Sequence, residues 1–348
     1  MENKATMKDV ARVAGVSLMT VSRVLNGTAR VNPETEALVR RAVQKLHFKP
    51  NELARALRGM KSRSIGIIVP YLYDQFFATC AHEATVVARE HGYSVILATS
   101  GEDPAVEYAE AQLMLQRHVE GLLVIPADHG PSKLSLPEFT QTPIVLLDRP
   151  IQDPRFSAIL VQNQSGARRA VQHLVKQHRH QRIAFMGMAK MLYTTRARFE
   201  GYRREMLDSG LTPQAFFDCV TQEAASIVVK NAMRSQVAPT AFFTMNNLTT
   251  RYCLRALMEI GVSVPEEIAM IGFDDFELAD ILHPALTVIR QPAHQMGSVA
   301  ANLLFNRIKS AEPHTEGKRE LLSVELVIRS SCGCKYRSPQ RVSSPVQK

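Results

Sequence analysis

Residues 7–26 have the sequence MKDVARVAGVSLMTVSRVLN, and this stretch determines the fold of the N-terminal part of the chain. Apolar residues recur at helical spacing up to Ala14, and a second run with the same spacing begins after Ser17. Gly15 lies between the runs, where glycine permits the backbone conformation of a tight turn. The Ser17 hydroxyl can accept a hydrogen bond from the first amide groups of the second helix. The pattern predicts a helix, a tight turn and a second helix.

The second predicted helix has the features of a DNA-recognition helix, although an ordinary pair of core helices is the alternative. A helix-turn-helix domain places the N-terminal end of its second helix in the major groove. We expect Leu18, Met19 and Arg23 near base edges, with the two apolar side chains against thymine methyl groups. Hydroxyl side chains would lie near phosphates. The predicted DNA-binding residues here are Ser17, Leu18, Met19, Thr20, Ser22, Arg23 and Asn26.

A third helical pattern, LVRRAVQKL at residues 38–46, completes a small three-helix unit. Either Asn32 or Thr35 can cap its N-terminus. The helical spacing separates its apolar and basic side chains. It predicts Leu38, Val39, Ala42 and Leu46 inward and Arg40, Arg41 and Lys45 outward.

Residues 5–59 resemble, nearly position for position, the DNA-binding headpiece of the lactose-repressor and galactose-repressor family of bacterial regulators. The shared motif is D-V-A-x-x-A-G-V-S-x-x-T-V-S-R-V-L-N-G at residues 9–27. The resemblance implies a sequence-specific transcription regulator, most often a repressor, that binds a pseudopalindromic operator in double-stranded DNA. It also implies a hinge helix at residues 52–58, where Leu57 matches the leucine that wedges open a base step in the minor groove. A plain linker is the alternative for this segment.

Basic residues are concentrated at the two ends of the chain. The 348 residues carry a formal net charge of +9, and residues 1–60 contain 11 Lys and Arg against 5 Asp and Glu. Residues 335–348 contain 4 basic and no acidic residues, so the middle of the chain is nearly neutral. A basic headpiece favours phosphate contacts and salt-dependent affinity for nucleic acid.

The sequence shows none of the patterns that we sought for export, membrane insertion or catalysis. The N-terminus lacks the apolar core of a signal peptide, and no apolar run reaches about 18 residues. We therefore expect a cytoplasmic protein without a membrane partner. The chain has no G-x-S-x-G, no G-x-x-x-x-G-K-[ST] and no H-E-x-x-H, so we expect that it is not an enzyme.

Five cysteines are too few and too scattered for a disulfide framework. Cys332 and Cys334 form C-x-C, which supplies two ligands where a structural zinc site needs four. His178 and His180 form H-x-H, which we expect in a surface turn. We therefore expect no metal site and no cofactor. The other three cysteines are expected as reduced core residues: Cys80, Cys219 and Cys253.

From residue 64 onward, short apolar runs alternate with amphipathic stretches. Such alternation builds parallel sheets that are covered by helices on both faces. Two series of this kind predict an α/β body of two lobes, each a doubly wound parallel sheet. Together with the three N-terminal helices, they predict a small all-α headpiece followed by this body. The predicted strands are residues 64–70, 93–100, 119–126, 143–148, 157–163, 182–188, 216–220, 240–245 and 268–274.

The resemblance implies boundaries for these parts and a body like that of a periplasmic sugar-binding protein. In the family the chain crosses between the lobes three times, here near Val161, Gln291 and Leu322. The tail lacks the leucine heptads that join some family members into tetramers, so we predict a homodimer. The implied parts are the headpiece at 1–50, the hinge helix and linker at 51–61, the effector-binding and dimerisation domain at 62–329, and a basic, disordered tail at 330–348. The first lobe would hold about 62–161 and 292–322, and the second about 162–291 and 323–329.

Polar residues end several predicted strands, where ligands of open α/β sheets bind. Arg198 begins an R-x-x-G-Y motif, which in the family marks the arginine that grips effector oxygens. Phe76 and Phe77 match the family's aromatic pair after the first strand. Charged donors, carboxylate acceptors and an aromatic wall favour a sugar or sugar derivative. The predicted effector-binding residues are Phe76, Phe77, Asp148, Arg198, Asn246 and Asp274.

The chain departs from the family pattern at two places near the predicted cleft. Gln162 and Asn163 replace a common aspartate–asparagine pair, and Asn247 follows Asn246 where aspartate is usual. Both changes remove a carboxylate, which leaves the effector's polarity open. Purine-responsive relatives carry an aromatic residue near residues 221–225, and this chain has none there. Two alternative functions remain open. The chain could be a DNA-binding regulator controlled by a protein corepressor, or a solute-binding transport protein.

Overall fold

The computed structural model describes residues 5–26, 31–48, 62–127, 131–310 and 316–335. The chain divides into two compact units, Met1–Ser62 and Arg63–Lys348. The hinge helix expected at residues 52–58, with Leu57, lies outside the described residues. In the described ranges we find no helix with the length and apolarity needed to cross a lipid bilayer.

The described part of the N-terminal unit is a helix-turn-helix followed by a third helix, as predicted. Helix α1 spans Met7–Ala14, α2 spans Leu18–Asn26 and α3 spans Pro33–Lys45. Gly15 ends α1 with a φ of 67°, the left-handed conformation that glycine adopts without strain. Asn32, rather than Thr35, caps α3 by accepting a hydrogen bond from the Glu34 amide at 3.0 Å. The buried core is formed by Val10, Ala11, Ala14, Val21, Val39, Ala42 and Phe48.

One core residue of α3 was predicted wrongly. Leu38 was expected inward, but 44% of its surface is exposed. The side chains that pack inward are Val39, Ala42, Val43 and Leu46. These four follow the spacing i, i+3, i+4, i+7, and Leu38 precedes that stripe by one residue, about 100° around the helix.

The first sheet of the second unit contains six parallel strands in the described residues. The strands are β1 Ser64–Val69, β2 Ser94–Thr99, β3 Leu122–Val124, β4 Ile144–Leu147, β5 Ser157–Val161 and β11 Arg319–Leu322. Their order in the sheet is β11-β5-β4-β3-β1-β2. The helices of this lobe are α4 Gln75–Glu90, α5 Pro104–Gln116 and α10 Ala293–Lys309, and α4 and α10 pack against each other beside the sheet.

The second sheet also has six strands in the described residues. The strands are β6 Ile183–Met186, β7 Gln214–Phe216, β8 Ala241–Thr244, β9 Ala269–Phe273, β10 Thr287–Arg290 and β12 Glu325–Val327. Their order in the sheet is β12-β10-β9-β8-β6-β7, and neighbouring strands are parallel except that the edge strand β12 runs antiparallel to β10. The helices are α6 Asn163–His178, α7 Tyr193–Asp208, α8 Gln222–Arg234 and α9 Asn247–Glu259. The two-sheet α/β architecture therefore confirms the predicted fold class.

The order of the strands shows where the chain moves between the sheets. It leaves the first sheet after β5 and enters the second at β6. After β10 it returns to the first lobe through α10, which packs on β3, β4 and β5, and joins the first sheet as β11. It then enters the second sheet again as β12. Three connections therefore join the lobes, and the carboxyl ends of both sheets border one cleft.

The expected strand at residues 216–220 begins and ends earlier than predicted. Strand β7 covers Gln214–Phe216, and Asp218 has a φ of 59°. A residue in this left-handed conformation cannot continue an extended strand.

The residues directly after Arg329 were expected in a disordered tail, but the structure places them in the second lobe. Ser331 and Cys332 are fully buried. The Ser331 backbone carbonyl accepts a hydrogen bond from the Met270 amide at 2.8 Å, and its hydroxyl oxygen accepts one from the Thr287 amide at 2.8 Å. These polar residues stay buried because they satisfy backbone groups of β9 and β10. Residues 336–348 lie outside the described ranges.

Candidate functional site

The N-terminal end of α2 forms an exposed surface with an ordered first turn. The Ser17 hydroxyl oxygen accepts a hydrogen bond from the Thr20 amide at 3.1 Å, so it caps the helix as predicted. Leu18 and Met19 expose 42% and 64% of their surface, and Arg23 is exposed beside them. Leu18 and Met19 therefore project from the end of the helix that enters a major groove in this class of domain, and Arg23 lies in the last turn of α2.

The structure describes only some of the other predicted DNA-binding residues. Ser22 is half-buried, next to the fully buried Val21 that anchors α2 in the core. Asn26 is the last residue of α2, and its side chain lies outside the described part, as does all of Leu57. The structure therefore describes the exposed side chains at the start of α2, and their contact with DNA stays a prediction.

All six residues predicted to bind an effector line one small cavity between the two lobes. The cavity has a volume of about 40 Å³. It lies where the carboxyl ends of the strands of both sheets face each other. Its lining includes Phe76, Phe77, Asp148, Arg198, Asn246 and Asp274, together with Tyr71, Tyr73, Asp74, Glu102, Arg149, Arg251 and Gln291.

Arg198 is buried at the centre of this cleft and contacts several elements. Its Nε donates to Asn163 Oδ1 at 2.7 Å, and its Nη1 donates to the Met245 carbonyl at 2.6 Å. Nη1 also lies 3.4 Å from Asp274 Oδ2. The guanidinium carbon is 3.7 Å from the centre of the Phe273 ring, which is cation–π geometry. Arg198 therefore connects α6, α7 and the ends of β8 and β9.

The R-x-x-G-Y motif on α7 has a packing explanation. Helices α6 and α7 approach so closely that a Cβ at Gly201 would clash with the carbonyl oxygen of Gln164. The Tyr202 hydroxyl donates to the Ile183 carbonyl of β6 at 2.7 Å. Since Arg198 and Tyr202 lie four residues apart, they project from the same side of α7. The motif thus fixes α7 on the sheet and holds Arg198 in the cleft.

Two buried aspartates supply acceptors to the cleft. Burial raises the pKa of Asp274 to about 6, against the lowering effect of Arg198. Asp274 Oδ1 accepts a hydrogen bond from Gln291 Nε2 at 2.6 Å. Burial also raises the pKa of Asp148, and among the described residues its Oδ1 has no hydrogen-bond partner. A buried acceptor without a donor is expected where a bound ligand supplies the donor.

Asp148 is held in place by its neighbour. Arg149 Nε lies 3.3 Å from Asp148 Oδ2, and its Nη2 donates to Glu102 Oε1 at 2.8 Å. Arg149 Nη1 also donates to the Pro126 carbonyl at 3.0 Å. The sequence analysis did not identify Arg149 or Glu102, because neither belongs to a recognisable motif. Their contact with the end of β4 depends on the fold.

Phe76 and Phe77 form an apolar wall at the start of α4. Both are buried, and their ring centres lie 5.4 Å apart in an edge-to-face arrangement. Asp74 caps this helix by accepting from the Phe76 amide at 2.9 Å. The sequence analysis missed Asp74, although an aspartate directly before a helical pattern is a typical N-cap signal.

Direct contacts between the lobes explain the small volume of the cavity. Asn247 Nδ2 donates to Asp74 Oδ1 at 3.1 Å, and the Glu277 amide donates to Gln75 Oε1 at 2.8 Å. Each bond joins the start of α4 in the first lobe to the second lobe. A ligand larger than the cavity therefore has to break or rearrange these contacts.

Asn163, next to the departure at Gln162, and Asn247, the other departure from the family pattern, have roles in the structure. Asn163, at the position of a common family asparagine, accepts the hydrogen bond from Arg198, and Asn247 forms the contact between the lobes. Asn246 Oδ1 accepts from the Thr249 amide at 2.9 Å and so caps α9. The Asn246 side chain therefore has a structural role at the edge of the cavity.

A larger groove of about 820 Å³ lies beside α7, outside this cleft. It is lined in part by Tyr193, Arg196, Phe199 and Glu200, and none of the predicted effector-binding residues contributes to it. Its lining lacks the buried carboxylates Asp148 and Asp274 that distinguish the smaller cavity. The cleft between the lobes is therefore the better candidate site.

Both parts of the chain match known protein families. Residues 6–51 match the model for bacterial regulatory proteins of the lacI family. Residues 171–332 match the model for a periplasmic binding protein-like domain. The chain is 31% identical over 334 residues to the HTH-type transcriptional repressor PurR of Aliivibrio fischeri, covering 94% of this chain and 98% of that protein.

Solved structures show the same architecture. The Lac repressor dimer bound to operator and the anti-inducer ONPF is 26% identical, with a TM-score of 0.80 over 95% of this chain and 99% of that chain. The complex of the transcriptional regulator CelR with cellobiose is 28% identical, with a TM-score of 0.67 over 94% of this chain and 99% of that chain.

Proposed function

Because this chain belongs to the lacI family of bacterial regulatory proteins and is a DNA-binding transcriptional repressor, we propose that a small molecule bound between its lobes controls its operator affinity. The observation that carries this proposal is the convergence of Arg198, Asp148 and Asp274 in one buried cleft. Buried charges are costly unless they have partners. The unpaired Asp148 Oδ1 is an acceptor that a ligand donor would satisfy.

The ligand class that best fits the cleft is a carbohydrate or sugar derivative. Sugar hydroxyls can donate to Asp148 and Asp274 and accept from Arg198, while Phe76 and Phe77 offer an apolar wall. The CelR structure with cellobiose is a related regulator that holds a sugar. A purine base is the competing class, because Tyr71, Tyr73, Phe76 and Phe77 also offer aromatic rings against which a planar base could stack.

Control of DNA binding follows from a change in how the lobes contact each other. A ligand that enters the cleft alters the Asn247–Asp74 and Glu277–Gln75 hydrogen bonds. Residues 51–61 precede the first lobe in the chain, and we propose that this segment carries the effect of the ligand to the DNA-binding unit. By linkage, a ligand that weakens operator binding is itself bound more weakly when operator is present, by the same factor.

The proposed assembly is a homodimer, in which two recognition helices read two operator half-sites. Ile227 on α8 and Met258 on α9 expose 61% and 72% of their surface, and these two helices pack against each other. Strand β2 lies at the edge of the first sheet and exposes Leu97. Exposed apolar side chains on adjacent elements are typical of surfaces that bind a protein partner. The related Lac repressor structure is a dimer on its operator.

A ligand screen followed by DNA titration tests this function. Purified protein is first used to select its operator from random DNA, and sugars, sugar derivatives and purine bases are then screened by thermal shift. A ligand of the folded state raises the melting temperature by mass action. We expect a sugar or sugar derivative to raise it and to change operator affinity in fluorescence anisotropy. A response to purine bases alone would reject the carbohydrate class, and a shift without any change in operator affinity would reject the control mechanism.

A further inference from the structure

Two histidines and two cysteines converge in the second lobe, at the opposite end of α6 from the cleft residue Asn163. The ligand atoms of His173, His178, Cys332 and Cys334 all lie within 4.8 Å of one another. The sequence separates His178 from Cys334 by 156 positions. We propose that these four side chains form a structural zinc site that fastens the C-terminal segment to α6.

Two distances in this cluster, from Cys334 to the histidines, are close to those of a tetrahedral zinc site. Cys334 Sγ lies 3.2 Å from His178 Nε2 and 3.5 Å from His173 Nε2. Zinc bonds are about 2.0–2.1 Å to nitrogen and about 2.3 Å to sulfur, so tetrahedral geometry places sulfur and nitrogen about 3.6 Å apart. The four ligand atoms lie within 4.8 Å of one another, so the longest separations must shorten by up to about 1 Å for one ion to bond all four.

The donor set is one that zinc prefers in closed structural sites. Two imidazoles and two thiolates give the Cys₂His₂ combination, and the spacing of the histidines, H-x₄-H, falls within the usual range. The cysteines are closer in sequence than usual, with a single residue between them. That residue is Gly333, with a φ of +96°, and a Cβ at this position would lie 3.3 Å from His178 Nδ1. Glycine therefore allows the tight C-x-C turn to lie against the histidine.

The surroundings bury two of the four ligands and support one of the two sulfur ligands. Cys332 is fully buried and His173 is buried. The Thr287 hydroxyl donates a hydrogen bond to Cys332 Sγ at 3.1 Å, which would stabilise a thiolate. Such supporting hydrogen bonds orient metal ligands and adjust their donor strength. His180 lies nearby but is outside the set, because its Nδ1 is paired with the Thr240 hydroxyl at 3.0 Å.

Binding of zinc has a defined proton balance and structural effect. Two neutral thiols each lose a proton to solvent and become thiolate ligands, while the two histidines bind as neutral imidazoles. With four protein ligands the site has no open position, so its role is structural and not catalytic. The ion would join the end of α6 to the segment after β12, which are otherwise connected by packing and hydrogen bonds.

Metal analysis of the full-length protein, without a histidine tag, tests the site. We expect about one zinc ion per chain after gel filtration in reducing buffer. Cys334→Ser and His178→Asn should lose that zinc, whereas the matched controls Cys219→Ser and His180→Asn should retain it. Cys219 is a buried cysteine and His180 a neighbouring histidine, and both lie outside the ligand set.

A second measurement on the wild-type protein avoids dependence on variants that fold poorly. Protein stripped by a chelator under reducing conditions is titrated with Co²⁺, which reports ligand type in its spectrum. Tetrahedral S₂N₂ coordination predicts intense visible bands and a sulfur-to-cobalt charge-transfer band that saturate at one equivalent and disappear on addition of zinc. Failure of the stripped, reduced protein to take up either metal would overturn the proposal. Zinc retained equally by the ligand and control variants, or cobalt spectra without sulfur coordination, would also overturn it.

Discussion

Arg198 Nη1 and Asp274 Oδ2 lie 3.4 Å apart in the cleft, with both side chains buried. This pair joins the middle of α7 to the end of β9, and each member has a further partner, Asn163 for the arginine and Gln291 for the aspartate. In the proposed function, the same two groups contact the ligand. Substitution of either one therefore affects both stability and ligand response.

Replacing Arg198 by Met should destabilise the protein and abolish its thermal response to ligand. The change leaves Asp274 buried without its cationic neighbour, a loss that costs about 3–5 kcal/mol in comparable buried pairs. Urea denaturation and the thermal-shift assay measure the two effects. Arg203→Met is the control, because Arg203 lies on the same helix and pairs with Glu200 at the surface. Equal losses of stability and response in the two variants would contradict the role assigned to Arg198.

The contribution of Asp274 to the stability of the protein should decrease as pH rises from 3.8 towards about 6, because burial raises the pKa of Asp274 to about 6. Within this pH range Asp274 is more protonated in the folded state than in the unfolded state, so its contribution to the free energy of unfolding falls with increasing pH. Asp274→Asn should reduce this slope. A residual slope is expected from Asp148, whose pKa is also raised by burial. Denaturation curves at several pH values provide the comparison, and parallel pH dependences in wild type and variant would be inconsistent with the assignment.

Gly201→Ala should destabilise the protein, although alanine normally stabilises a helix relative to glycine by about 0.5–1 kcal/mol. The added methyl group would clash with the Gln164 carbonyl oxygen and push α7 away from α6. Overpacking of this kind typically costs about 1–3 kcal/mol. Arg204→Ala, at an exposed position of the same helix, should leave the urea midpoint nearly unchanged. A stabilised Gly201→Ala protein would show that α6 and α7 accommodate the added methyl group without a clash.

Met19→Ala should change the base preferred at one position of each operator half-site. Met19 is the most exposed apolar side chain of α2, and loss of a contact with a thymine methyl costs on the order of 1 kcal/mol. Selection of binding sites from random DNA measures the preference. Leu38→Ala removes an exposed apolar side chain from α3 and should leave the selected sequence unaltered. If the sequences selected by wild type and Met19→Ala are identical, Met19 does not contribute to base recognition.

Ile227→Glu combined with Met258→Glu should weaken self-association. Both side chains are exposed on the packed helices α8 and α9, and a buried carboxylate in an apolar interface is costly without a partner. Sedimentation at several protein concentrations should show a shift from dimer to monomer. Leu207→Glu, an exposed apolar position on α7, serves as the control. If the double variant sediments as the wild type does, the proposed dimer surface is elsewhere.

The sequence by itself determined the features that depend on near neighbours. The turn at Gly15, the Ser17 cap and the alternation of strands with helices follow from local backbone preferences and periodic burial, which are expressed within a few residues. For the same reason the ends of strands, and hence Asp148 and Asp274, could be identified in advance. The R-x-x-G-Y motif identified Arg198 through the resemblance to the family, in which this motif marks the arginine that contacts the effector.

Only the tertiary structure decided which distant side chains meet. Asp74 contacts Asn247 across the lobes, and His178 meets Cys334, although 173 and 156 positions separate these pairs. Periodicity cannot predict such contacts, because they arise from the order of the strands and the return of the chain between two sheets. The same cause placed Ser331 and Cys332 in the core: their polar groups complete the hydrogen bonding of β9 and β10, and no local pattern shows that those strands lie beside them.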